Sequence, residues 1–351
     1  MLGTVRYILA LMVACSHIWQ QLLWWQGIYA VFCFYVISGY LMSMVLNEVY
    51  HGTDGTMRYV ANRVLRIYPA YLIVLVLTAL ATSYLTQYLQ QPFGYGYVLS
   101  DFIGSPGNLR AWLANLSLVY GFPDALAVSQ TWSLRVELVF YLIMIFLVRR
   151  FSTVLAWFVL SAAYVLYQNY IGVEFEERYT SVLGSSIAFS AGALIYHAHL
   201  KYPISKLHIP MAAALFIIHL VCAPYLWGFP ANSNALLPSV WQQNLGIYPN
   251  LLIFAYLLYG LCCREKSAGR LHSIGEFLGK IAYSIFLLHW LIALLVLSAG
   301  IAFSDKWSLV PAIFVALNIA AVALYQLIER PVERHFRDKL RGSAGAVHRV
   351  A

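Results

Sequence analysis

His17, Glu137 and His289 are among the few ionisable side chains that fall deep inside long apolar stretches of this sequence, with His219 another. Such groups are costly in a hydrocarbon environment, and by default they mark function. A neutral imidazole can take a proton from a hydroxyl near pH 7. A carboxylate can orient that ring, fix its tautomer and stabilise the imidazolium. His17 and Glu137 are therefore the candidate catalytic pair. His289 is a candidate supporting or channel residue. His17 lies 11 residues beyond Arg6, which is roughly 16 Å at the rise of a helix. Glu137 lies 12 residues from Arg149 and His289 lies 9 from Lys280, or roughly 18 and 14 Å. The three groups thus reach similar depths. A salt-bridged or protonated buried acid would equally account for Glu137, and a helix–helix hydrogen bond for either histidine.

A second constellation reads Arg63-Val-Leu-Arg66-Ile-Tyr68-Pro69. Arg63 and Arg66 are three apart and share one helical face. Two guanidinium forks at a helix mouth suit a phosphate-bearing ligand. They equally suit lipid phosphates or simple cytoplasmic anchoring. Tyr68 and Tyr71 either pack on a flat base such as adenine or belong to the interfacial aromatic belt. Arg135 lies four residues into its stretch and can snorkel outward. His219 is read as structural. His197 and His199 point apart on a helix, so no metal site is expected. The cysteines Cys15, Cys33, Cys222, Cys262 and Cys263 are odd in number and contain no C-x-x-C pair. They are read as inert buried thiols.

The elements that must hold these groups follow from composition. Of 351 residues, 62% are hydrophobic and 10% charged, against about 25% charged in a soluble domain. That excludes an ordinary soluble enzyme, a disordered chain and a nucleic-acid binder. About 20 apolar residues cross a bilayer as a helix. Ten stretches qualify: 6–24, 28–46, 68–89, 131–149, 151–170, 182–200, 208–227, 246–263, 280–299 and 307–329. The first lacks a cleavage signature and is read as a mature helix. Segments 47–67, 90–130 and 228–245 are left for irregular structure. With the N-terminus inside, all Lys and Arg except Arg110, Arg135, Arg178 and Lys306 fall on the cytoplasmic side. The expected fold is all-α, a polytopic membrane protein of about ten helices, N-in and C-in. Residues 1–335 form one membrane domain and 336–351 a basic cytoplasmic tail. Most of the net charge of +8 is then topological.

Taken in order, the landmarks resemble the acyltransferase-3 family of integral membrane acyltransferases. Arg6-Tyr-Ile-Leu-Ala10 precedes His17, and an aromatic run from Val31 leads into Ser38-Gly39. Arg63-x-x-Arg66-Ile-Tyr68-Pro69 follows. The most distinctive block is Thr131-Trp132-Ser133-Leu134-Arg135-Val136-Glu137, closing on Phe140-Tyr141. Gly279 through Tyr283-Ser284 to His289, then Glu329-Arg330-Pro331, complete the series. The resemblance implies transfer of an acyl group, commonly acetyl, from cytoplasmic acyl-CoA to a hydroxyl of a glycan or other secreted molecule. It places His17 and Glu137 in catalysis, Arg63 and Arg66 with Tyr68 on acyl-CoA, and Trp132, Ser133, Arg135, Tyr283, Ser284 and His289 in supporting or channel positions. His17 acts either as general base or as an acyl carrier in a ping-pong scheme. No permanently bound cofactor or metal is implied, and the location expected is a bacterial inner membrane.

Two departures stand out. Position 138 is Leu where relatives often carry a second acid. The chain ends 20 residues after Pro331, so no appended hydrolase-like domain is expected. The acceptor is expected to arrive through the Gly-, Pro- and aromatic-rich segment 90–130, the longest outer loop. A transporter or proton-coupled carrier is the rival reading, since midplane His and Glu serve that class too. It calls for inverted repeats, and none is visible.

Overall fold

The computed structural model describes residues 1–18, 20–50, 52–90, 92–93, 97–118, 126–202, 208–226, 239–263, 269–301 and 306–341. Among them are ten helices of 16 residues or more: α1 (Leu2–Ile18), α2 (Gln20–Glu48), α3 (Gly52–Tyr84), α4 (Trp132–Leu147) and α5 (Phe151–Tyr170). The others are α6 (Val182–Lys201), α7 (His208–Leu226), α8 (Ser239–Cys262), α9 (Arg270–Ser298) and α10 (Lys306–Leu324). Six of these, α2, α3, α4, α5, α9 and α10, are long and apolar enough to cross a membrane by length and composition. Among the described residues the only strand pairing is a two-residue antiparallel ladder, Pro92–Phe93 against Tyr97–Val98, besides one isolated bridge between Ile103 and Val128.

α2 runs through the middle, packed against α1 and α6, while α1 also packs along α9. α6 shows why hydropathy undervalues some helices. Its Gly184, Ser185, Ser186, Ser190 and Gly192 are all buried. A Cβ on Gly192 would stand 2.0 Å from the Val36 carbonyl oxygen, and one on Gly39 would stand 2.1 Å from that of Phe189. The two backbones touch, as small residues permit between helices in lipid.

Several boundaries differ from the sequence reading. α1 ends at Ile18, six residues before the expected 24, and α2 starts at Gln20, eight before the expected 28, so His17 lies in the last turn of its helix and not in mid-span. Segment 47–67 is mostly helix, because α3 starts at Gly52 and continues through Pro69. Asp54, Arg58, Arg63 and Arg66 hide this half from any apolar count. Proline deletes a helix hydrogen bond, yet outside partners hold this turn. The Tyr283 hydroxyl donates to the Ile67 carbonyl at 3.0 Å, and the Tyr68 and Tyr71 hydroxyls donate to the Ser117 and Asn115 carbonyls at 2.6 and 2.7 Å. Likewise α9 starts at Arg270, ten residues before the expected 280. Residues 228–238 of the third expected loop lie outside the described residues, and 239–245 are helical.

Segment 90–130 is more than an outer loop. Its helix Leu109–Ser117 is capped by Asn108, whose side chain accepts from the Ala111 amide. The contacts with Tyr68 and Tyr71 bring its end beside the middle of α3. Asn115 then accepts from the Ala127 amide at 2.8 Å, tying the returning chain to it. That return delivers Ser129–Thr131 to the start of α4.

Candidate active site

His17 sits on the last turn of α1 and His289 two-thirds along α9. His17 Nδ1 lies 2.8 Å from His289 Nε2. His289 is fully buried, and its Nδ1 lies 2.8 Å from the Phe286 carbonyl oxygen. Trp290 stacks on His17 with ring centroids 5.2 Å apart, and Phe102 stacks on Trp290 at 4.6 Å. Gln130 Nε2 donates to the carbonyls of Phe286 and Leu287 at 3.2 and 3.1 Å. Residues from α1, α9 and the 97–131 segment therefore lock the two rings in place.

Glu137 is elsewhere. Its Oε1 accepts from Ser38 at 2.6 Å and from Tyr141 at 2.5 Å. It lines a smaller, inner-lying cavity of about 100 Å³, open to its surroundings, together with Arg6, Arg63, Arg66, Ser133, Tyr283 and Phe286. The expectation that Glu137 orients His17 is thus not met by the hydrogen bonds, since His289 occupies that position. Equal depth placed three groups at one level, but helix packing in the plane chose the pair.

Arg6 and Arg66 also line a larger cavity of about 540 Å³ at the basic end of the molecule. Lys280, Arg330, Arg334 and Arg337 line it too, with the carboxylates of Glu276, Glu329 and Glu333. Its wall includes the π-helical turns Tyr325–Glu329 and Glu333–Arg337, a distortion frequent at functional sites. The two cavities share Arg6, Leu41 and Arg66. Among the described residues no carboxylate comes within ion-pair distance of Arg6, Arg63 or Arg66. Arg63 is 5% exposed. One Nη donates to Asn62 Oδ1 at 3.2 Å, while its Nε is buried without a partner. Unpartnered buried donors are uncommon, and three unpaired guanidiniums around one space are suited to an anion.

A family model described as an acyltransferase domain, that of the acyltransferase-3 family, matches residues 2–326. The chain belongs to the acyltransferase-3 family. No curated protein and no solved structure gives a match. Membership together with the long apolar helices makes this an integral membrane acyltransferase.

Within that family frame the remaining expected residues divide clearly. Arg63, Arg66, Ser133 and Tyr283 line the inner cavity. Ser284 donates to Glu329 of the outer cavity. Tyr68 lines neither cavity and is turned to Ser117, so a place on a ligand is not what its contacts show. Its hydroxyl is spent on a segment distant in sequence. Trp132 meets Tyr179 edge-on at 4.9 Å, outside both cavities, as is half-buried Arg135. His219 Nε2 lies 2.9 Å from the Gly246 carbonyl oxygen. No cluster of three or more His, Cys, Asp or Glu able to hold a metal occurs among the described residues. Sequence reasoning gave no site role to Arg6, to Gln130 or to the residues of 272–337 that line the larger cavity, although Arg6, Glu329 and Arg330 stood among the landmarks of the resemblance. Arg6 and the others carry charge that topology alone explains. Gln130 had no signal.

Proposed function

We propose that this protein is a membrane O-acyltransferase moving an acyl group, acetyl in the simplest case, from cytoplasmic acyl-CoA to a hydroxyl of an extracytoplasmic or lipid-linked glycan. The observation that carries the donor half is the pair of cavities sharing Arg6 and Arg66, with Arg63 beside them and none of the three guanidiniums in an ion pair among the described residues. A coenzyme carrying several phosphates brings the negative charge that these groups lack. The basic end holding Arg330, Arg334, Arg337 and Lys280 supports its being the cytoplasmic face, and with it the N-in, C-in arrangement of ten helices in a bacterial inner membrane. The acceptor half rests on the family resemblance.

In this reading His17 takes the proton of the attacking hydroxyl. The hydroxyl oxygen bonds to the thioester carbonyl carbon, the C–S bond breaks, and His17 returns the proton to the departing coenzyme A thiolate. Phe286 lines the smaller cavity and its carbonyl anchors His289, so this residue links the donor cavity to the histidine pair. Glu137 faces the arginines and balances part of their charge when no donor is bound. The direct test follows free coenzyme A released by purified protein in liposomes given acetyl-CoA and candidate glycans. Release must need both an acceptor and His17. His17→Ala with undiminished acceptor-dependent release sinks the assignment.

A further inference from the structure

We infer that His289 selects the tautomer of His17, so that Nδ1 carries the proton and Nε2 is the atom that accepts the proton, or the acyl group, in the reaction. The inference deepens the reading above and rests on it for its kinetic consequence, but not for its structural content.

The assignment follows from counting protons. The Phe286 carbonyl oxygen can only accept, so His289 Nδ1, 2.8 Å away, must carry a hydrogen. That oxygen is a shared acceptor, taking Gln130 Nε2 at 3.2 Å besides its place in the backbone ladder of α9, and it has no proton to give. A neutral imidazole has one N–H, so His289 Nε2 offers a lone pair. His17 Nδ1 at 2.8 Å must then be the donor, and His17 Nε2 is left with its lone pair. A doubly protonated His289 would reverse this. It would be a charge at a residue 0% exposed, with no carboxylate at ion-pair distance among the described residues. Burying an unpaired charge is strongly unfavourable. The carboxylate expected to play this part, Glu137, is bonded to Ser38 and Tyr141 instead.

The ring orientation is fixed as well as its protonation. Trp290 covers one face of His17 and is itself backed by Phe102. Among the described residues His17 Nε2 makes no hydrogen bond, as expected of an atom kept for substrate. The device differs from a carboxylate orienter in one respect. The chain of donors ends on a backbone dipole, so it fixes the tautomer without adding a buried negative charge.

The test has two arms. In purified wild-type protein labelled with ¹⁵N-histidine, the His17 signals should show a protonated Nδ1 and an unprotonated Nε2. His289→Leu should move His17 toward the opposite tautomer, and His289→Gln, whose amide oxygen can accept from Nδ1–H, should keep it. A wild-type His17 protonated at Nε2 overturns the inference whatever the protein catalyses. In the turnover assay His289→Leu should lower kcat by about a hundredfold or more, on the scale of lost tautomer control in other enzymes, with KM for acyl-CoA unchanged. His289→Gln should recover most of it. Equal losses in the Leu and Gln variants, or a Leu variant with normal kcat, overturn the inference. If His17→Ala itself remains active, the functional reading falls while the spectroscopic result stands by itself.

Discussion

Replacing Arg66 by Gln isolates the donor site from the fold. Arg66 lines both cavities and makes no hydrogen bond or ion pair among the described residues. Its removal therefore breaks no direct bond: Glu137 keeps its bonds from Ser38 and Tyr141, and Glu329 keeps the one from Ser284. The folded state should lose little, and the loss should appear in ligand affinity. A hydrogen bond to a charged group contributes about 1.5–3 kcal/mol, so coenzyme A should bind about 10- to 150-fold more weakly. Arg66→Lys keeps the charge but not the planar fork and should fall between. Isothermal titration with coenzyme A in detergent reads this directly. Ligand-induced stabilisation offers a second measure. At a concentration of about 100 times the wild-type Kd the ligand adds about 2.7 kcal/mol, whereas a variant weakened about a hundredfold gains only about 0.4 kcal/mol. An Arg66→Gln protein that binds coenzyme A with wild-type affinity refutes the assignment of the arginine-lined cavities to the donor.

Tyr68→Phe should leave coenzyme A affinity unchanged and cost about 0.5–1.5 kcal/mol of stability through the lost bond to Ser117; a marked rise in Kd with intact stability would restore Tyr68 to the ligand. Glu137→Gln keeps an amide oxygen for Ser38 and Tyr141 and removes a negative charge facing the donor's phosphates. Coenzyme A should therefore bind as tightly or more tightly, and weaker binding contradicts the charge-balancing role. Gly192→Val must push α2 and α6 apart, since a Cβ there stands 2.0 Å from a carbonyl oxygen. A loss of about 1–3 kcal/mol or more is expected from such overpacking, read as a lower melting temperature in detergent, and an unchanged melt argues against the close crossing.

The helical class was legible because a low charge content and apolar stretches of spanning length leave few alternatives. His17, Arg63 and Arg66 stood out as candidates for a related reason, that ionisable groups are scarce in such a chain. What failed was non-local. Tyr68 looked like a ligand contact from its neighbours Arg66 and Pro69, but Ser117, nearly fifty residues on, claims its hydroxyl. The early start of α3 was hidden by its own charges, two of which, Arg63 and Arg66, line a cavity. Arg6 was indistinguishable from a topological charge until Arg66 and Glu137 were found around the same space.

The pairing of His17 with His289 follows from how α1 meets α9. Gly3 lies against Gly275, with a Cβ on Gly3 only 2.2 Å from the Gly275 carbonyl oxygen. Fourteen residues further along both helices, His17 meets His289. The offset between partners is the same at both contacts, so the helices run parallel and in register for roughly 21 Å at the helical rise. Small residues at one end let the backbones close up, and that closeness carries to the other end. Glu137 stands on α4, which packs on α2, and no choice of its rotamer changes which helix faces α1. Depth along the membrane normal is a property of one helix and its sequence. Azimuth is a property of pairs, and in this protein glycines far from the chemistry, at Gly3 and Gly275, set the azimuth that makes two histidines one site.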